Sequence, residues 1–508
     1  MVNDWASTRT TEEIIQLASA MRIPIAPIGS PATVAQIDHF RERGVFVENP
    51  SGFVQPRPPY RSELLRVRAP AESPRLGEHG AVEVWNERLP RIPRNSAPKR
   101  RPLAGTRVMD FTAFWAGPMA THALAALGAD VIKVEGLRRP DGMRFSGGKS
   151  PGVESWWEWG TVFLACNGGK QDLTLELSKP EARDIALRLA AKCDLVLENF
   201  SPRVMGNLGL EWDDLRAANP NLVLVRMPAF GLDGPWRDRV GFAQTMEQAS
   251  GMAWMTGEAD GSPLIPRGPC DPIAGLHAAF AAVAGLEIRD RVGRGLQIES
   301  TMVEAALNVA AEISVEYAAY GRSAARDGNR GPEGSPQGVY PCVGEDAWVA
   351  LTVRNERDWN NLVALLPTLP DVGDATLSTD EERRRFADLI DDWIAKWTMD
   401  RETTEVVEML QPAGIPCAPV ATPRDLLDDE QLGYRGFWER IRHPIVGEYD
   451  APGMPFRFRG QTEPWTVSAP PTLGQHNHEI LSALLQMNED EVRALEAEMI
   501  IGTRPAGL

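Results

Sequence analysis

The chain holds few cysteines and pairs none of them closely. Five of its 508 residues are cysteine, at 166, 193, 270, 342 and 417, with no CxxC pair. This spacing excludes a thiol-rich zinc site or dithiol redox motif, and the odd, scattered count fits a reducing cytoplasm. Positive charge is also in short supply. The net charge of −17 argues against a nucleic-acid partner, and the clearest basic run, "PKRRPLAG" at 98–105, reads as a solvated linker. No run of about 18 apolar residues suggests a membrane span. The start, "MVNDWASTRTTEEIIQL", lacks the basic-then-apolar order of a secretory signal. No GxGxxG follows a strand and opens a helix, "GGKSPG" at 147 lacks the Walker spacing, and no GxSxG elbow occurs. His476 and His478 stand without a carboxylate cluster, so no metal is assigned.

What remains is an ordinary globular composition, 43% hydrophobic and 24% charged, in a chain long enough for two or more domains. It contains an internal repeat. "TTEEIIQLASAMRIPIAPIGSP" starts at Thr10 and "TTEVVEMLQPAGIPCAPVATP" at Thr403. Each copy reaches an Arg-Gly pair 20 residues after its Ile-Pro pair, at Arg43-Gly44 and Arg435-Gly436. Each then meets a Pro-aromatic-Arg triplet, Pro59-Tyr60-Arg61 and Pro455-Phe456-Arg457, and closes on "LGEH" or "LGQH". Five matches in order point to common structure. The first copy, within 1–100, has the look of the tail of a unit whose front is missing.

From about residue 101 strands alternate with helices. Strand character occupies 106–112, 130–135, 193–200 and 221–230; helical character occupies 117–129, 179–192 and 211–220. Short apolar strands joined through helices predict a buried parallel sheet of the doubly wound α/β type, which places ligands at its strands' carboxyl ends. The loops there, "AFWAGP", "EGLRRPDGMR", "NFSPR" and "AFGLDGPWRDR", suit an anionic ligand with a flat ring. "STMVEAALNVAAEISVEYAAYG" reads as one long helix. A Gly/Pro-rich loop at 326–338 and a hairpin at 339–353 then open a smaller α+β domain at about 338–427.

One stretch concentrates candidate chemistry. "RGPCDPIAGLHAAF", 267–280, holds Cys270, Asp271 and His277. Proline after Asp271 marks a helix start and makes the aspartate an N-cap. Cys270 and His277 share a helix face only if the helix includes residue 270, which Pro272 argues against. Burial of the cysteine and a nucleophile–base pair both stand at this point, as do a cap and a catalytic role for Asp271.

Taken together, these stretches resemble the class III CoA-transferases, the CaiB/BaiF family. The resemblance begins at "PLAGTRVMDFTAFWAGPMATHALAALGADVIKVEG" and runs through "CNGGKQDLTLELSKPEAR", "CDLVLENFSPRVMGNLGLEWDDLRAANPNLVLVRMPAFG" and "QASGMAWMTG". It continues through 267–280, "VGRGLQIESTMVEAAL", "GNRGPEGSPQGVYPC" and "AGIPCAPV", covering about 101–485. Residues 1–100 resemble the end of another such unit.

The resemblance implies a Rossmann-like large domain (101–310), a linker with a glycine-rich loop (311–337), a small domain (338–427) and a return to the large domain (428–508). Two chains would interlock as linked rings, as a homodimer or with a homologous subunit. The implied activity moves CoA from an acyl-CoA to a carboxylic acid, with CoA as substrate and no resident cofactor. Asp271 falls on the family's nucleophile. The CoA-binding positions fall on Trp115, Ala116, Leu175, Glu176, Leu177, Ser178, Asn199, Phe200 and Ser201, with Arg138 and Arg139 facing the nucleotide phosphates. The loop over the acyl group falls on Gly331 to Gly334. Three departures stand out. Trp115 replaces a glutamine near the reacting carbonyl. Asn207 replaces a phosphate-binding arginine, with Arg203 as a substitute. Phe242 replaces the base histidine of the family's acyl-CoA racemases, which favours transfer over racemisation or epimerisation. Trp115, Phe242, Met246 and Trp254 would make a bulky apolar acyl pocket. A non-catalytic subunit paired with an active homologue is the remaining alternative.

Overall fold

A computed structural model describes residues 2–80, 101–367, 372 and 376–508. The parts of the N-terminal segment and of the basic run that fall in 81–100 lie outside the described residues. The chain divides into two compact units, 1–254 with 264–324 and 437–508, and 255–263 with 325–436.

The first unit is built on one sheet. Ahead of it, β1 (Phe46–Asn49) and β2 (Phe53–Pro56) form an antiparallel hairpin. The sheet strands are β3 (Tyr60–Arg61), β4 (Arg107–Asp110), β5 (Asp130–Glu135), β6 (Lys170–Thr174), β7 (Leu195–Glu198), β8 (Val223–Arg226) and β9 (Leu296–Ser300). Their order is β3-β9-β8-β7-β4-β5-β6, parallel throughout except for the antiparallel edge strand β3. Alternate side chains serve opposite faces. Val108, Val131, Leu195 and Val223 join one core with the helices Ala116–Ala126 and Cys270–Val292. Met109, Ile132, Val196 and Leu224 join another with the helices Pro180–Ala190 and Asn477–Leu485. A parallel sheet with helices on both faces is thus the architecture.

The chain runs from β4 outward to β5 and β6, then returns to place β7 on the other side of β4. Strand order reverses there, and the loops leaving β4 and β7 diverge into a crevice. Asn199, just after β7, spans it. Its Oδ1 accepts from Ala113 N at 2.9 Å and its Nδ2 donates to Ala113 O at 2.8 Å.

In the second unit β10 (Gln337–Pro341), β11 (Trp348–Thr352) and β12 (Cys417–Pro419) form an antiparallel sheet, order β10-β11-β12. Trp359, Ile390, Trp393, Val406 and Leu410 close its core. The chain then rejoins the first unit through the antiparallel hairpin of β13 (Trp438–His443) and β14 (Gly447–Pro452).

The repeat has a structural counterpart. Helices Thr11–Ala20 and Thr403–Leu410, short helices Asp38–Glu42 and Glu430–Tyr434, and the two hairpins follow in the same order. Gly44 and Gly436 share a left-handed φ, +59° and +57°.

Two sequence expectations need correction. The stretch after Thr301 is two helices, Met302–Val309 and Ala311–Tyr320, broken at Ala310. The first is held in the core, while Asn308 Nδ2 donates to Arg57 O at 2.9 Å and ties the break to the N-terminal segment. The Cys270–Val292 helix is, by length and composition alone, long and apolar enough to cross a membrane. Its small residues instead pack it into the core. A Cβ on Gly275 would meet Ala116 O at 2.6 Å, and one on Gly285 would meet Val223 and Ile298 at 2.8 Å. Strands β6 and β9 were not expected as strands at all.

Candidate active site

The Cys270–Val292 helix begins two residues earlier than its proline suggests. Pro269 is the N-cap, so Asp271 lies in the first turn and caps nothing with its side chain. Pro272 is tolerated because first-turn amides have no intrahelical partner to lose. Asp271 N donates to Gly268 O at 3.2 Å, which closes a tight turn around Gly268, φ +111°. The Asp271 carboxyl is half-buried at the positive end of the helix. Burial first, and then the like charge of Glu247, push it from the ordinary carboxylate range up to about 7.

The Cys270–His277 pair does share this helix, yet the two serve different partners. Cys270 is fully buried, its Sγ reaches Met302 O at 3.9 Å, and burial pushes the thiol well up. His277 Nδ1 bonds the Tyr60 hydroxyl at 2.6 Å. No nucleophile–base dyad forms.

Two elements flank the turn that presents Asp271. From the loop after β4, the Trp115 ring lies over Gly268, 2.9 Å from where a Cβ would stand, so only glycine fits beneath it. Phe114 next to it holds an unusual left-handed φ of +67°. Its amide is fixed by Asp141 Oδ1 at 2.9 Å. From the helix Ala243–Ser250 comes Phe242, at its N-cap, whose ring meets Phe114 edge-on at 5.6 Å. The same helix carries Glu247, fully buried. Its Oε1 accepts from Gly268 N at 2.8 Å and Cys270 N at 3.3 Å, while Oε2 has no hydrogen-bond partner. Glu247 thus fixes the turn that presents Asp271 and adds to the rise that burial gives its carboxyl.

The other expected positions line the sheet's carboxyl edge. Trp115 and Ala116 open the helix after β4. Arg138 and Arg139 follow β5, both exposed, with no ion pair among the described residues. Leu175 to Ser178 follow β6. Leu175 is buried, Glu176 accepts from Ser178 Oγ at 2.7 Å and from Arg138 N at 3.2 Å, and Leu177 packs on the core. Asn199, Phe200 and Ser201 follow β7, with Ser201 exposed. Arg203 is paired with Asp238, at 2.5 Å. Met246 is buried below Phe242, and Trp254 Nε1 donates to Ala324 O at 3.1 Å. Gly331 and Gly334 belong to the second unit, where Arg384 donates to both carbonyls at 3.0 and 3.2 Å. The loop after β8 is committed elsewhere. Trp236 stacks on His39 at 5.2 Å, and Asp233 pairs with Arg43.

Sequence reasoning missed Glu247 and the buried ionic layer under these loops. Lys133 Nζ donates to Thr112 O at 2.8 Å and Asp141 Oδ2 at 2.9 Å, while Lys170 Nζ meets Asp110 Oδ2 at 3.1 Å. Arg144 joins Glu135 at 2.7 Å and Glu158 at 2.6 Å. A charge at an otherwise apolar position of the Ala243–Ser250 helix was the one available signal for Glu247.

The sequence matches CoA-transferase family III over residues 1–80 and 103–477. It is 32% identical over 405 residues to a succinyl-CoA–D-citramalate CoA-transferase of Chloroflexus aurantiacus, covering 79% of this chain and 98% of that one. A longer Mycobacterium tuberculosis protein, named a probable CoA-transferase, is 26% identical; 99% of this chain aligns with 63% of it. Among solved structures, a CAIB/BAIF family protein from Brucella suis superposes with a TM-score of 0.69 at 29% identity, over 76% of this chain and all of that one. With an α/β sheet, a helix-borne aspartate at its crevice and a family match across most of its length, this chain belongs to CoA-transferase family III and is an enzyme of that class.

Proposed function

We propose that the enzyme moves CoA from an acyl-CoA to a free carboxylic acid through covalent intermediates on Asp271. The observation that carries this reading is the position of that carboxylate, half-buried in a helix first turn just after the Gly268 turn that Trp115 covers. An Asp271 oxygen attacks the thioester carbonyl and CoA thiolate leaves, giving a mixed anhydride. The thiolate attacks the aspartyl carbonyl, releases the donor acid and leaves an aspartyl-CoA thioester. The acceptor carboxylate attacks that thioester, expels thiolate and forms a second anhydride. Thiolate then attacks the acceptor's acyl carbonyl, yielding the new acyl-CoA and restoring Asp271. No net proton moves. A value of about 7 leaves Asp271 substantially ionised at neutral pH and more basic than an ordinary carboxylate, which favours attack.

CoA would lie along the sheet's carboxyl edge. Exposed Arg138 and Arg139 suit its phosphates, and Trp115 and Phe242 would border the acyl group. The positive end of the helix dipole would stabilise charge on the reacting oxygen. Phe242 has no proton to exchange, which leaves racemisation without its second base. The enzyme would act in the cytoplasm as an interlocked pair of units. The succinyl-CoA in the Chloroflexus relative's name makes it the first donor to assay. Asp271→Ala should abolish turnover while CoA still binds; undiminished turnover in that variant would sink the proposal.

A further inference from the structure

The two repeat copies align without a gap between residues 11–27 and 403–419. Ile23-Pro24 falls on Ile415-Pro416, and Ile25-Ala26-Pro27 on Cys417-Ala418-Pro419. Their backbones agree closely. Arg22 has φ +58° and its counterpart Gly414 has +83°. Ile23 N donates to Ala18 O at 2.9 Å, as Ile415 N does to Leu410 O at 3.1 Å. A non-glycine residue held left-handed at the same place marks the same local fold.

Their surroundings differ. In the second copy Val406, Leu410 and Ile415 are buried in the small antiparallel sheet's core. β12 adds there as the third strand, with Cys417 opposite Leu351 and Pro419 opposite Val349. In the first copy Ile23 is 50% exposed where Ile415 is 1% exposed, Leu17 and Met21 are exposed beside it, and Ile25–Pro27 pair with no strand among the described residues. The copies' later halves show the opposite. Arg43 is buried against Glu299 and Glu304, and Tyr60-Arg61 pairs with β9. Arg435 is exposed, Tyr434 is 89% exposed, and Phe456-Arg457 pairs with no strand among the described residues. Ala18 and Ala26 of the first copy are buried, the latter in the first unit's core, but Ile23, Leu17 and Met21 lack the cover that the second copy's helix and strand have.

We propose that residues 11–27 are a docking element that adds, as third strand and covering helix, to the small antiparallel sheet of a second CoA-transferase unit whose own third-strand position is open. A second copy of this chain does not fit, because β12 already fills that position. The occupant is therefore a homologous unit of complementary make-up. More than a third of the Mycobacterium tuberculosis relative lies outside its match to this chain, which is room for such a unit. Apolar residues at helical spacing and an unpaired extended segment are what strand addition requires.

The test grafts residues 11–27 in place of 403–419 in the full chain. The graft should keep the Thr352 amide, which donates to Pro416 O at 3.0 Å on the β12 side, protected from hydrogen exchange and the melting temperature within about 5 °C of the parent. A graft with aspartate at the positions taken from Ile14 and Ile23 should lose that protection. If the plain graft exposes β11 as fully as a scrambled block does, the proposal is overturned. In the otherwise unaltered chain, Ile23→Asp should leave the melting temperature unchanged; a clear fall would show that Ile23 is already partnered and would overturn it too. A third variant replaces 403–419 with a Gly/Ser linker and opens the site. Light scattering should then find association between chains that Ile23→Asp removes, whereas a monomer at high concentration contradicts the proposal. None of these readouts uses turnover, so they stand apart from the chemistry of Asp271.

Discussion

Asp271 should cost the fold stability that its chemistry requires. Burial and Glu247 raise its carboxyl from 3.8 to about 7. In the unfolded chain it ionises at the ordinary value, so between those two pH values the native state holds the extra proton and stability falls as pH rises. Below pH 4 the group is protonated in both states and costs nothing; above pH 7 the full cost is present. The span corresponds to a ceiling of about 4 kcal/mol. Asp271→Asn keeps the shape and removes the charge, so it should stabilise the protein at pH 8 and not at pH 4. The unit that carries Asp271 has roughly 390 residues. Unfolding entropy on the order of 0.8 kcal/mol/K turns 2–4 kcal/mol into a rise of about 3–5 °C. Differential scanning calorimetry at the two pH values measures it. An equal shift at both, or none at pH 8, would refute a raised native-state value.

Glu247→Gln keeps an acceptor for Gly268 N and Cys270 N but removes the charge facing Asp271, so the acid limb of the rate profile should move to lower pH. A drop of about one unit would raise the ionised fraction at pH 6 roughly fivefold; an unmoved limb would show that Glu247 does not tune the nucleophile. Replacing Arg138 and Arg139 together by alanine should raise KM for acyl-CoA about tenfold, with kcat within about twofold and weaker salt dependence, if they meet the phosphates. Arg43→Ala leaves buried Glu299 with only the distant Arg61 and Glu304 with Arg57 alone as cationic partners among the described residues, and should destabilise the protein by about 3 kcal/mol in denaturant melts.

Much of the sheet was legible because its strands are apolar and bounded by turns; β5 spans the expected 130–135. β6 was hidden because Lys170 and Asp172 face inward, neutralised by Asp110 and Arg144 from distant parts of the chain. β9 was hidden likewise, since Glu299 is buried only because Arg43, 256 residues away, reaches it. Local pattern cannot announce a charge whose partner is remote. Asp271 was proposed as nucleophile through its neighbouring motifs; its own surroundings alone suggested a cap. Glu247 had no such flag, because a glutamate in a short helix is ordinarily a solvated face. The repeat was readable outright, but which half of each copy lacks a partner needed the structure.

The most direct measurement follows Asp271 itself. The enzyme, incubated with succinyl-CoA and quenched with hydroxylamine, would be digested and its peptides weighed. The account predicts an aspartyl hydroxamate at Asp271, absent in Asp271→Ala and absent without the donor. Active enzyme that turns over donor and acceptor while Asp271 stays unmodified would contradict it.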